Sequence, residues 1–135
     1  MNYTVITNLQ GDKFYYLNNL LHRDDGPAIE YTNGSKHWYK NNQLHRIDGP
    51  AIHYSNGDKH WFKNDKRHRD DGPAIEYFHG SKCWYKNGQR HRIDGPAVER
   101  PNGNKDWYLN NIYYGKNDEF TNESWLKFIK TLIFS

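Results

Sequence analysis

His45-Arg46-Ile47-Asp48-Gly49-Pro50-Ala51 occurs four times in this chain with a single position varied. The form His-Arg-x-Asp-Gly-Pro-Ala begins at His22, His45, His68 and His91, a constant step of 23 residues. Trp38, Trp61, Trp84 and Trp107 keep the same step. A fixed period in this range marks one supersecondary unit copied and stacked. Stacked repeats bury their core between neighbours and present an extended surface, and such surfaces serve binding more often than catalysis.

Working outward from the heptad, the unit from Gly26 onward reads G-P-A-I-E-Y-T, N-G, S-K-H-W-Y-K, N-N, Q-L-H-R. Asn33-Gly34 is a two-residue hairpin signal, because both residue types tolerate positive φ. Asn41-Asn42 is a second turn of the same kind, and Asp25-Gly26-Pro27 makes a third bend where Pro starts a strand or sits at an edge. The expected fold is mainly β, an elongated stack of antiparallel β-hairpin repeats with no helix inside them. Two-residue loops fix the register. Ile29 is then expected opposite Trp38 on one face with Tyr31 and His45. Ala28, Glu30, His37, Tyr39 and Leu44 are expected on the other. The predicted repeat core is Ile29, Trp38, His45, Ile52, Trp61, His68, Ile75, Trp84, His91, Val98 and Trp107.

Both ends read as caps. Residues 1–20 are a degenerate half-repeat, with Tyr15 standing where Trp stands elsewhere. Residues 21–112 hold the four repeats, and 113–135 form a C-terminal capping segment. There Thr121 can cap a helix over 122–133. Trp125, Phe128, Ile129, Leu132 and Ile133 make its apolar stripe. A closing helix blunts the unpaired edge that stacking leaves. Strand spacing predicts a ribbon of roughly 45 Å.

Composition agrees with this plan. The chain of 135 residues fits one domain; hydrophobic content is low at 35%, but aromatics reach 16%, so large rings must supply the core. Net charge is only +3, from 19 basic and 16 acidic residues, which is weak support for nucleic acid as partner. Cys83 is the single thiol, so no internal disulfide forms and a reducing, cytoplasmic location is expected. Neither a signal peptide nor a run of about 18 apolar residues is found.

The run Trp84-Tyr85-Lys86-Asn87-Gly88-Gln89-Arg90-His91-Arg92-Ile93-Asp94-Gly95 resembles the MORN-type repeat: an aromatic, Asn-Gly, then His before Gly. It departs from that consensus where Arg23, Arg46, Arg69 and Arg92 replace the glycine that follows His. The full form, with Phe120 and Trp125 in a terminal helix, looks like repeats of phages, large DNA viruses and some bacteria. This resemblance spans residues 11–125. It implies a β-hairpin repeat used as scaffold, antitoxin or interaction module.

Candidate sites divide by recurrence. His and Asp of each heptad recur in every unit, so a structural role is expected rather than catalysis or metal binding. His53 and His60 are expected to face each other, but two ligands are too few for a closed zinc site. Nucleophile-elbow, phosphate-loop and zincin motifs are missing. No metal, cofactor or enzymatic activity is expected, and a small-molecule ligand is not favoured. Positions that vary between repeats are free to specify a partner. Basic charge gathers in the second half, and Lys63, Lys66, Arg67, Arg69, Arg90, Arg92 and Arg100 are the expected partner-binding residues. The expected function is a non-enzymatic protein–protein interaction module, such as a phage- or virus-encoded inhibitor of a host defence nuclease. Single-stranded nucleic-acid binding and a MORN-like antitoxin are the alternatives.

Overall fold

The structure, a computed structural model, describes residues 2–134; residues 1 and 135, the outer bounds of the two caps, lie outside that range. It is mainly β. A 12-stranded open antiparallel sheet runs from Thr4–Thr7 and Lys13–Leu17, through two strands per repeat, to Lys105–Leu109 and Ile112–Lys116. In the first repeat these strands are Ile29–Glu30 and Lys36–His37. Among the described residues three side hairpins stand apart from the sheet, such as Tyr39–Lys40 with Gln43–Leu44. One terminal helix, Asn122–Phe134, closes the stack.

The two kinds of turn differ, and the difference sets which residues share a face. Asn41 and Asn42 both have positive φ, 50° and 65°, as do Asn64-Asp65, Asn87-Gly88 and Asn110-Asn111. These are the two-residue turns that the sequence predicts. At Asn33-Gly34 only the glycine is left-handed, with φ 94°. The Gly34 N–H donates to Tyr31 O, and Tyr31 N–H donates to Ser35 O, both at 3.0 Å. The loop therefore has three residues, closed by a left-handed glycine.

That extra residue overturns the expected register. Ile29 pairs with His37 and Glu30 with Lys36, so Ile29 does not face Trp38. His53 likewise pairs with Lys59, and His60 with Ile52, so the two histidines do not face each other. A slip of one residue moves every following side chain to the opposite face. Ile29 and Tyr31 share a face with His37, Tyr39 and Leu44. Trp38 and His45 lie on the other face with Ala28 and Glu30.

The core is correspondingly split. Ala28, Ala51, Ala74 and Ala97 are fully buried, and Ile29, Ile52, Ile75 and Val98 nearly so. Trp107 is buried, whereas Trp38, Trp61 and Trp84 and the histidines His45, His68 and His91 are half-buried. On the Ile29 face an aromatic row runs along the stack: Tyr31, His37, Tyr54, His60 and Tyr77 meet edge-to-face at 5.1–6.1 Å. Such ring contacts add about 0.5–1.5 kcal/mol each beyond area burial.

The helix start follows its sequence signal. Ser124 N–H donates to Thr121 Oγ1 at 3.0 Å, and Thr121 N–H to Ser124 Oγ at 2.8 Å. Trp125 and Ile129 are buried against Trp107. Leu132 and Ile133 are more exposed than Trp125 and Ile129.

Candidate functional site

The arginine, aspartate, glycine, proline and alanine of the heptad are committed inside the scaffold. Arg46 lies 3.9 Å above the Trp38 ring. Its Nε donates to Asp48 at 2.9 Å and its Nη1 to Pro50 O at 3.1 Å. A side chain at Gly49 would stand 2.9 Å from the Arg46 guanidinium carbon, so the arginine would have to shift out of its clamp to admit one. Trp38 N–H donates to Ala51 O at 2.7 Å, which ties one repeat to the next. The same clamp repeats around Arg69 over Trp61 and Arg92 over Trp84, and Tyr15 replaces the tryptophan under Arg23.

The heptad histidine bonds to the following repeat. Asn41, Asn64, Asn87 and Asn110 donate their N–H groups to Nδ1 of His22, His45, His68 and His91 at 3.0–3.2 Å. An accepting Nδ1 leaves the proton on Nε2. In alternate repeats that nitrogen meets a carboxylate, Asp24 or Asp70, at 2.8 Å. Ile47 and Ile93 stand at those positions in the other two units and are exposed.

These contacts divide the seven basic residues singled out in the sequence. Arg69 and Arg92 belong to the clamps: each bonds an aspartate, a proline carbonyl and a glutamate, Glu76 or Glu99. They are withdrawn from the expected partner surface, because their charge is already spent within the repeat. Lys63 and Lys66 are exposed and pair across their side hairpin, on the side away from Phe62 and Arg67. Lys63 lines a shallow groove on the tryptophan face with His45, Arg46, Trp61, His68 and Arg69.

Arg67, Arg90 and Arg100 lie together on the aromatic face. Arg67 sits 5.4 Å from the Phe62 ring centroid and 5.8 Å from that of Tyr85. Its Nε is buried and has no hydrogen-bond acceptor. Arg90 follows one repeat on, 5.3 Å from the Tyr108 ring, with long bonds to the Tyr85 and Tyr108 hydroxyls. Arg100 pairs with Asp106 at 2.8 Å. The position of Arg67 and Arg90 is Leu21 and Leu44 in the first two units, and that of Arg100 is Tyr31, Tyr54 and Tyr77 in the others. Phe62 with Arg67 and Tyr85 with Arg90 share a face across their two-residue turns, as the expected pairing of Tyr39 with Leu44 implies.

Two further groups on this face are chemically notable. His60 is buried, and its Nδ1 has no partner. Burial pushes its pKa down, and the nearby Arg67 cation adds to the fall. Burial pushes the Cys83 thiol up, which keeps it in the unreactive protonated form. Among the described residues, no three His, Cys, Asp or Glu side chains gather so that they could hold a metal ion. No helix among them is long and apolar enough to cross a membrane.

No family model matches the chain, and no curated protein matches it in sequence.

Proposed function

We propose that the chain is a non-enzymatic binding module that takes a protein partner on the aromatic face of its second half. Arg67, Arg90 and Arg100 are its contact residues, with Phe62, Tyr85 and Tyr108 as their platform. One observation carries this reading. Arg67 is held between two rings where the first two units hold leucine, and among the described residues no carboxylate pairs with its guanidinium and no acceptor meets its Nε. An arginine with that surrounding adds nothing the repeat needs, since leucine serves there. Arginine and tyrosine on rigid backbone are the residue types that anchor protein interfaces.

The resemblance to phage and viral repeats narrows the reading to an inhibitor that covers a host defence nuclease in the cytoplasm. Tagged chain drawn through a nuclease-treated lysate tests the broader reading. A stoichiometric protein that stays bound after nuclease treatment supports it. Recovery of nucleic acid alone before treatment, and of no protein after it, contradicts it.

Binding of single-stranded nucleic acid is the second reading. The guanidinium between rings favours it, since cations beside aromatic platforms grip such strands. It predicts affinity that falls steeply with salt. The arginines already lie against the rings of Phe62, Tyr85 and Tyr108, which leaves those faces less free to stack bases.

A further inference from the structure

The tryptophan face carries a lattice of charge in every unit, and one unit lacks a carboxylate. Arg23 donates to Glu30 at 2.6 Å, Arg69 to Glu76 at 3.1 Å and Arg92 to Glu99 at 2.8 Å, each through Nη1. The second unit has His53 at the glutamate position. Arg46 Nη1 there reaches only the Pro50 carbonyl, at 3.1 Å. His53 lies directly across from Lys36 on one neighbouring strand and from Lys59 on the other. Directly opposed Cβ atoms are about 5 Å apart, so both ammonium groups reach the same spot. The glutamates that border these lysines on their far sides, Glu30 and Glu76, are taken by Arg23 and Arg69. Lys36 and His53 are exposed, so the notch opens to solvent.

We propose that this notch, formed by Arg46, Lys36 and Lys59 around His53, binds a carboxylate supplied from outside the chain. The three sister units define what fits: a carboxylate oxygen bonded to Nη1 of the clamping arginine. Among the described residues no glutamate meets Arg46 Nη1 as one does in the sister units, and the two lysines add positive charge beside it. A carboxylate on a free small acid and one on an acidic peptide are two sources of the same chemistry. The notch lies on the opposite face from the Arg67 row and does not rest on the function proposed for that row.

Amide-resolved NMR titration of the whole protein tests it, with glutarate, a hexaglutamate peptide and inorganic phosphate as probes. Wild type is expected to give saturable shifts at Lys36, His53 and Lys59 with glutarate or the peptide. Tighter binding of the peptide assigns the source to a partner protein, and tighter binding of glutarate assigns it to a free acid. His53→Glu installs the residue of the sister units, so its fold is preserved, and it should weaken either ligand by about tenfold or more. His53→Gln leaves the three cations in place and should keep binding. Absence of saturable shifts in wild type overturns the proposal. So do equal affinities of wild type and His53→Glu, loss of binding in His53→Gln, or tighter binding of phosphate than of either carboxylate.

Discussion

Gly95 has no positive φ, yet a Cβ there would stand 2.7 Å from the Arg92 guanidinium carbon, so a side chain would push the arginine out of its clamp. The glycine is required by the arginine and not by the backbone. Gly95→Ala should therefore cost about 1–3 kcal/mol of stability by urea unfolding, as overpacking does. In an Arg92→Ala background the same change should cost less than about 0.5 kcal/mol, since the clashing group is gone. Equal costs in both backgrounds would contradict the clamp. The histidines give a second expectation at this scale. Burial pushes His37, His45, His60 and His91 below their ordinary 6.5. Each then binds its proton more readily unfolded than folded. Stability is full above the unfolded value and is lost as pH falls through it toward the folded values. Urea midpoints should be flat above about pH 7 and fall on acidification toward about pH 5. His60→Cys, which copies Cys83 of the next unit, should flatten part of that fall. An unchanged slope would show that His60 does not share in it. At this scale the sequence was informative but easily overread. Arg69 and Arg92 recur in every unit and so belong with the scaffold, as their clamps show, whereas Arg67 and Arg90 differ from Leu21 and Leu44.

Two turns of similar composition behave differently as elements. Asn41-Asn42 makes the expected two-residue turn, and Asn42 Oδ1 also accepts the Leu21 N–H at 2.7 Å. Asp65 does the same for Leu44 at 2.9 Å. Asn42→Asp should therefore be nearly neutral. Asn42→Gly keeps the left-handed backbone but loses that acceptor, at about 0.5–1.5 kcal/mol, and thermal unfolding of the two variants reads the difference. A glycine variant as stable as wild type would contradict a role for the side chain between repeats. Asn33-Gly34 reads as the same signal but forms the three-residue loop. Asn33 Oδ1 there accepts the Ser35 N–H, Ser35 Oγ accepts the Ser55 N–H, and Asp12 accepts the Thr32 N–H. The last two contacts come from neighbouring units, about 20 residues away, so local propensity did not reveal them. The period, the strands, the closing helix and the second turn were legible for the opposite reason, being set by residues close in sequence. What the slip concealed was the partition of faces, and with it the notch at His53.

For the molecule as a whole, stability is a sum over neighbouring units, and the ends need closure. At the far end the clamp is missing: Gly115 stands where the next arginine would be, eight residues after Trp107 as Arg92 is after Trp84. The helix takes its place. Trp125 is fully buried against Trp107 at a ring distance of 5.3 Å, and its Nε1–H donates to Arg92 O at 2.9 Å. Trp125→Ala should cost about 3–5 kcal/mol, and amide exchange should rise first in Lys105–Leu109. Uniform loss of protection across all four units would contradict a local cap. Between the caps the repeated residues build a scaffold, and the varied residues Arg67, Arg90 and Arg100 share one face. The most direct measurement compares partner capture by wild type and by the Arg67→Leu, Arg90→Leu double variant in the same nuclease-treated lysate. Both substitutions copy residues that the first two units already hold, so unfolding midpoints should match. The expected result is a stoichiometric protein on wild type that the double variant fails to retain. Equal retention by both, with equal midpoints, would contradict the assignment of the aromatic face as the partner surface.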